Sequence, residues 1–178
     1  MVIHNFQDRL KWSESASHQP FWDAVYRKAF PGLVNHMQCP GDQPTQRMGV
    51  DRLVYLNNDR VLRIDEKKRD KVYPDILLEY LSNDKTKAPG WMEKNLVIDY
   101  IAYAFMPTQK VYLLDWLTLR RAWVANKGSW LSRHRHVTAK NEGGYTTRSI
   151  AVPIPVLQKA LNEAQVVSVA VQIIELSA

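Results

Sequence analysis

Apolar residues recur every three to four positions between residues 20 and 30, where Phe21, Trp22, Val25, Tyr26 and Ala29 share one side of a predicted helix. Pro20 suits the first helical turn, where an N–H has no intrahelical partner anyway, and Pro31-Gly32 ends the run. Residues 36–48 turn to Pro, Gly, Gln and Asp and predict a loop. The period then shortens. Residues 50–56 and 60–68 are strand-like runs joined by Asn57-Asn58-Asp59, residue types that tolerate the backbone of a tight hairpin. Residues 75–81 predict a third strand, 82–90 a polar loop and 91–95 a short helix. Residues 99–106 and 110–115 flank Pro107-Thr108-Gln109 as a second hairpin carrying Tyr100, Tyr103 and Tyr112. A helix is predicted over 117–130, with Leu119, Ala122, Trp123 and Trp130 inward and Arg120, Arg121 and Lys127 outward. Residues 133–136 and 141–144 predict loops, Pro155 opens a helix running to residue 164, and the β-branched stretch 166–176 returns as a strand. Strands interleaved with helices predict an α/β fold, a central mixed β-sheet flanked by helices. No repeat, low-complexity tract or linker divides residues 1–178, so a single domain is expected.

The first hairpin carries the chemistry. If residues 57–59 form the loop, Leu56 pairs with Arg60 and Asp51 falls opposite Asp65. Two carboxylates at strand-pair distance repel unless a cation lies between them, and a divalent metal would serve. Mg²⁺ accepts a site with few carboxylates and several waters. Alternation puts Lys67 on the face of Asp65, where an ammonium can orient an attacking water or stabilise charge developing on a phosphate. Two carboxylates, a metal and a lysine suffice for phosphodiester hydrolysis. A two-residue turn would instead bring Glu66 to the face of Asp51 and make Glu66 and Lys68 the working pair. Leu62 and Ile64 share the Glu66 face and should pack against a helix, which favours Asp65 and Lys67 on the opposite, polar face. Glu66 stays close enough for its backbone carbonyl to reach a metal.

Composition changes this picture little. Lys and Arg number 24 against 18 Asp and Glu, a net charge of +6 that suits a polyanionic partner such as nucleic acid. Six Trp and eight Tyr indicate a folded chain. No apolar run is long enough to span a bilayer, and residues 1–6 lack the features of a secretory signal. The single cysteine, Cys39, permits no internal disulfide, so a reducing cytoplasm is the expected location. Phosphate-binding glycine loops, dinucleotide fingerprints and nucleophile elbows are absent, which disfavours nucleotide-driven motors, redox enzymes and serine hydrolases.

Asp51, a strand and turn, then Ile64-Asp65-Glu66-Lys67 resembles the PD-(D/E)XK motif of restriction-endonuclease-like nucleases. Gly49-Val50-Asp51-Arg52, the Asp75 to Glu79 stretch, Pro89-Gly90-Trp91, Asp99-Tyr100-Ile101-Ala102-Tyr103 and Tyr145-Thr146-Thr147 are similar to small phage and mobile-element proteins of that fold. The similarity runs from about residue 23 to residue 157. It implies a restriction-endonuclease-like core in which Asp51 and Asp65 bind Mg²⁺ (or Mn²⁺) and Lys67 assists the water. It also offers Asp23, on the first helix, as an additional acid, and Glu79 as a further ligand beside Glu66. The family usually has an apolar residue where this chain has Glu66.

Arg120, Arg121, Arg133, His134, Arg135 and Arg148, with Lys127 and Lys140, would supply the charge of a nucleic-acid groove. Trp91, Tyr100, Tyr103 and Tyr145 are candidates for base stacking, with core the favoured role for Tyr100 and Tyr103. The leading expectation is therefore a Mg²⁺-dependent nuclease acting on DNA, with a homodimer as one possible state. The alternative is an inactive nuclease-like protein that binds nucleic acid or a host protein in counter-defence or regulation.

Overall fold

A computed structural model of the protein describes residues 19–39, 48–141, 143–165 and 171–176. The fold is α/β, with a curled mixed sheet, a second antiparallel sheet and three flanking helices among the described residues. The chain runs through α1 (Gln19–Ala29), β1 (Leu33–Gln38), β2 (Arg52–Leu56), β3 (Val61–Arg69), β4 (Asp75–Asn83) and β5 (Ala88–Pro89). A single 3₁₀ turn, Trp91–Glu93, leads to β6 (Tyr100–Phe105) and β7 (Lys110–Asp115), which are joined by a second such turn at Met106–Thr108. Then come α2 (Trp116–Arg133), β8 (Arg135–Lys140), β9 (Thr146–Pro153), α3 (Ile154–Ala164) and β10 (Val171–Glu175). The larger sheet is ordered β1-β2-β3-β6-β7-β10 and the smaller β5-β4-β9-β8. β3 pairs parallel with β6, and every other pairing is antiparallel.

The first hairpin closes as expected. Leu56 N–H donates to Arg60 C=O at 2.9 Å, and Asp59 takes the left-handed conformation at φ 60° that the loop needs. The ladder continues through Val54–Leu62 to Arg52–Ile64. On one face Val54, Leu62 and Ile64 pack under Trp22, Val25 and Tyr26 of α1. Ala102 and Ala104 of β6 belong to that face too, so small residues meet the large aromatics of the helix. Ile101, Tyr103 and Phe105 alternate onto the other face, where they join Ile76 and Leu78 of β4, Ile150 and Val152 of β9, and the inner sides of α2 and α3. α2 starts one residue before the expected range because Asp115 caps it, accepting from Thr118 N–H at 2.8 Å.

Several expectations need correction. The predicted loop 36–48 contains the end of β1, which among the described residues pairs only with β2, while residues 40–47 lie outside the described residues. The predicted loop 133–136 is the end of α2 followed by β8, the edge of the smaller sheet. β4 extends to Asn83 and forms a short hairpin with β5 where a loop was expected, and the 3₁₀ turn stands for the short helix. Of the predicted tail strand, residues 166–170 lie outside the described residues. No described helix is long and apolar enough to cross a membrane.

One contact couples the smaller sheet to the loop that follows it. Gly90 N–H donates to Tyr80 C=O at 3.1 Å, and a Cβ on Gly90 would stand 2.3 Å from the Glu79 carbonyl oxygen. Backbone cannot yield as a side chain does. Gly90→Ala should therefore lower stability by about 1–3 kcal/mol, read as a reduced midpoint in denaturant unfolding with an unchanged slope.

Candidate active site

Asp51 sits just beyond the last ladder pair of β2 and β3. Its N–H donates to Ile64 C=O at 2.9 Å, its carbonyl accepts from Cys39 N–H at 2.8 Å, and its carboxylate Oδ2 accepts from Glu66 N–H at 2.7 Å. That last bond turns the carboxylate toward β3. Asp65, 3% exposed, lies beside it, and the two carboxyl groups are close enough to hydrogen-bond. Lys67, one pleat along, donates from Nζ to Asp65 Oδ1. The register question is thus answered by the longer loop, with Asp65 and Lys67 sharing the face of Asp51. The face itself differs from expectation: it is not a solvated polar surface but is covered, so that Asp65 is buried and the Lys67 side chain is 31% exposed.

Burial pushes the Asp65 carboxyl up to about 7; the Lys67 ammonium opposes this, while the charge and hydrogen bond of Asp51 reinforce it. For Lys67, burial acts to lower the pKa, but the carboxylates of Asp65 and Asp51 outweigh it and the net shift is upward. Glu79, on β4, lies within reach of the same ammonium. Burial raises its pKa against the pull of Lys67, Lys94 and a hydrogen bond from the Trp91 N–H. Lys67 Nζ also lies 5.9 Å from the centroid of the Trp91 ring. Asp51, Asp65 and Glu79 therefore all act on one ammonium, that of Lys67.

Glu66 is not among them. Its carboxylate points to the α1 face, where it accepts from Arg52 Nε and from the Tyr26 hydroxyl at 2.9 Å. Lys68, the partner of the alternative register, lies over the Trp22 ring at 5.8 Å and so belongs to the α1 face too. Asp23 is also set apart, bonded to Arg27 Nε at 2.9 Å and His36 Nε2 at 3.0 Å. His36 Nδ1 faces Arg52 Nη1 at 3.0 Å. Arginine only donates, so Nδ1 is the unprotonated nitrogen and Nε2–H donates to Asp23.

The expected nucleic-acid residues do not form one free cluster. Arg120 donates to Met92 C=O and lies 5.7 Å over the Trp116 ring. Arg135 pairs with Asp75 at 3.3 Å, and Arg148 stands 3.9 Å from Asp84. His134 ends α2, its N–H donating to Trp130 C=O at 3.0 Å, while Arg121 and Arg133 are exposed on α2. Trp91 and Tyr103 are buried in the core rather than presented to bases, and Tyr100 is partly buried. Lys94, exposed and within the field of Glu79, was not singled out by sequence, and Arg52, His36 and Tyr26 were not connected with the site. A lone lysine after the Trp91–Glu93 turn carries no pattern that would mark it.

No group of three His, Cys, Asp or Glu side chains among the described residues is arranged to hold a metal by itself. The donor set still suits a cation that keeps waters: two adjoining carboxylates, one of them pushed toward protonation by burial first and by its neighbour's charge second. No protein-family model matches the chain, and neither a curated protein nor a solved structure is similar to it.

The raised Asp65 carboxyl has a consequence for stability. Between its ordinary 3.8 and about 7, the folded chain holds a proton that the unfolded chain has released, so stability falls as pH rises through that window. Asp65→Asn removes this burden. In the absence of divalent metal, the melting temperature of the variant relative to the parent should climb between pH 5 and pH 8; a pH-independent difference would contradict the buried carboxyl pair.

Proposed function

We propose that this protein is a divalent-metal-dependent phosphodiesterase acting on nucleic acid, DNA in the first instance. The observation that carries this reading is the contact of Asp51 and Asp65 beside the Lys67 ammonium on one face of the hairpin. Asp51 and Asp65 would hold Mg²⁺ or Mn²⁺, with Glu79, which acts on the same lysine, as a further candidate. The ion would supply Lewis-acid stabilisation of charge on the phosphoryl oxygens. Lys67 stays cationic because both carboxylates favour its charge, so it can orient a water toward phosphorus and steady the developing negative charge. Asp65 holds that ammonium in place, and the Trp91 ring limits where it can swing. The net charge of +6 supports a polyanionic substrate.

The test is cleavage of plasmid and single-stranded DNA with Mg²⁺, Mn²⁺ or EDTA. Activity should require the metal and fall by about 10²-fold or more in Asp65→Ala and in Lys67→Ala. Cleavage that survives both substitutions would overturn the assignment. A folded protein that binds DNA but neither cuts it nor takes up Mn²⁺ through Asp51 would instead be the non-catalytic binder.

A further inference from the structure

Glu66 occupies the position between the two site residues of β3, yet its side chain is on the opposite face and only 6% exposed. Its ion-pair partner, Arg52, is adjacent to Asp51 and 1% exposed. We infer that the Arg52–Glu66 pair is a positioning device for the candidate metal site, a clamp on the far side of the hairpin that keeps Asp51 and Asp65 together. This inference rests on the nuclease reading of the front face.

The argument begins with where the ladder stops. Arg52–Ile64 is the last regular pair of β2 with β3, and one further backbone bond, from Asp51 N–H to Ile64 C=O, ends the pairing beside the two carboxylates. At that point like charges adjoin, and repulsion would part the strands. Alternation makes each residue of the clamp the immediate neighbour of a site residue but turns it to the other face. A bond from Arg52 Nε to Glu66 Oε1 therefore ties the two backbones at the position where the front face pushes them apart. Glu66 contributes a second tie, since its own N–H donates to Asp51 Oδ2 at 2.7 Å.

The clamp is itself held. Arg52 Nη1 donates to Gln19 Oε1 at 3.1 Å and to His36 Nδ1 at 3.0 Å, and its guanidinium lies 5.5 Å from the Tyr26 ring centroid. Tyr26 donates its hydroxyl to Glu66 at 2.9 Å, and His36 is oriented by Asp23 at 3.0 Å. Helix α1 and edge strand β1 thus act on the site through Arg52 and Glu66 without reaching it. This accounts for an acid at a position where a purely structural strand would place an apolar residue under the helix.

The experiment separates positioning from folding. Titrate Mn²⁺ calorimetrically into the full chain, into Asp65→Ala, and into the double variant Arg52→Met/Glu66→Met, whose apolar side chains fill the buried space without leaving an unpaired charge. The expected result is a double variant that melts near the parent temperature yet binds Mn²⁺ about 10- to 100-fold more weakly, the loss typical of outer residues that orient ligands. Its kcat should fall while KM for DNA is unchanged. Parent-like Mn²⁺ affinity in the folded double variant, with none in Asp65→Ala, overturns the clamp and leaves the nuclease reading intact. Parent-like affinity in Asp65→Ala overturns that reading itself. If the double variant does not fold, Glu66→Gln decides, because it keeps the shape and both hydrogen-bonding partners but removes the charge. Weaker Mn²⁺ binding with an unchanged melting temperature supports the clamp, and unchanged binding overturns it.

Discussion

Two carboxylates standing side by side in a protein interior repel each other, and the arrangement of this molecule follows from how that repulsion is contained. Asp51 and Asp65 lie where the pairing of β2 with β3 ends, with one backbone bond from Asp51 to Ile64 beyond the last regular pair and β6 on the other side of Asp65. Three devices act together. Lys67 brings a positive charge to the front, a proton is retained on the pair up to about pH 7, and Arg52–Glu66 joins the strands behind. Only the second can be exchanged for a metal without rebuilding the fold. A divalent ion bound to such a pair, as the proposed function requires, would have to displace that proton.

Register is what makes these devices possible, and β3 is fixed from both sides. It pairs antiparallel with β2 and parallel with β6, and its outward alternation matches two different covers. Leu62 and Ile64 go beneath α1 with Ala102 and Ala104, whereas Asp65 and Lys67 go toward the face that carries Ile101 and Tyr103. A slip of one residue would drive Ile64 into the carboxylate cluster and Asp65 under Trp22 and Tyr26. Each move places a residue in surroundings that reject it, so the apolar packing of α1 and the polar chemistry of the opposite face specify the same pairing.

Sequence made the hairpin legible because its signals are local. The loop residues, the alternation of Leu62, Ile64 and Glu66 against Asp65 and Lys67, and the position of Asp51 all lie within a short stretch. The second hairpin, α2 and α3 were readable for the same reason. β1 and β8 were not: Leu-Val-Asn-His-Met-Gln and Arg-His-Val-Thr-Ala-Lys are half-exposed edge strands whose polar residues look like loop. The sheet to which β4 belongs was also hidden, since alternation in Ile76 and Leu78 is the same whichever neighbour it finds. At the site, sequence placed Glu66 on the face of Leu62 and Ile64 but gave no sign that Arg52 is its partner. Their burial depends on Gln19, Tyr26 and His36, brought together only by the tertiary fold. Asp23 was drawn to the wrong partner by its place on the first helix, because no local pattern reveals His36 waiting across from it.

The basic residues divide by the same criterion of burial, and the division bears on how a polyanion would be met. Arg52 is enclosed and bound on several sides, so its charge is spent on the fold. Arg120 is likewise committed to the Met92 carbonyl. By contrast, the ion pairs of Arg63 with Asp99, Arg135 with Asp75 and Arg148 with Asp84 leave the arginine 42%, 61% and 48% exposed. Exposed pairs of this kind are worth only about 0–1 kcal/mol, less than a phosphate offers through charge-assisted hydrogen bonds. Arg63 and Arg148 can therefore exchange an acid for a phosphate at little cost, together with Arg121, Arg133 and Lys94, which are already turned to solvent, whereas Arg135 would leave the buried Asp75 carboxylate unpaired. Net charge alone counts both groups equally. Burial separates the two groups: on the proposed reading the second would supply the long-range attraction of a polyanion, while Arg52 of the first ties β2 to β3 beside Asp51 and Asp65.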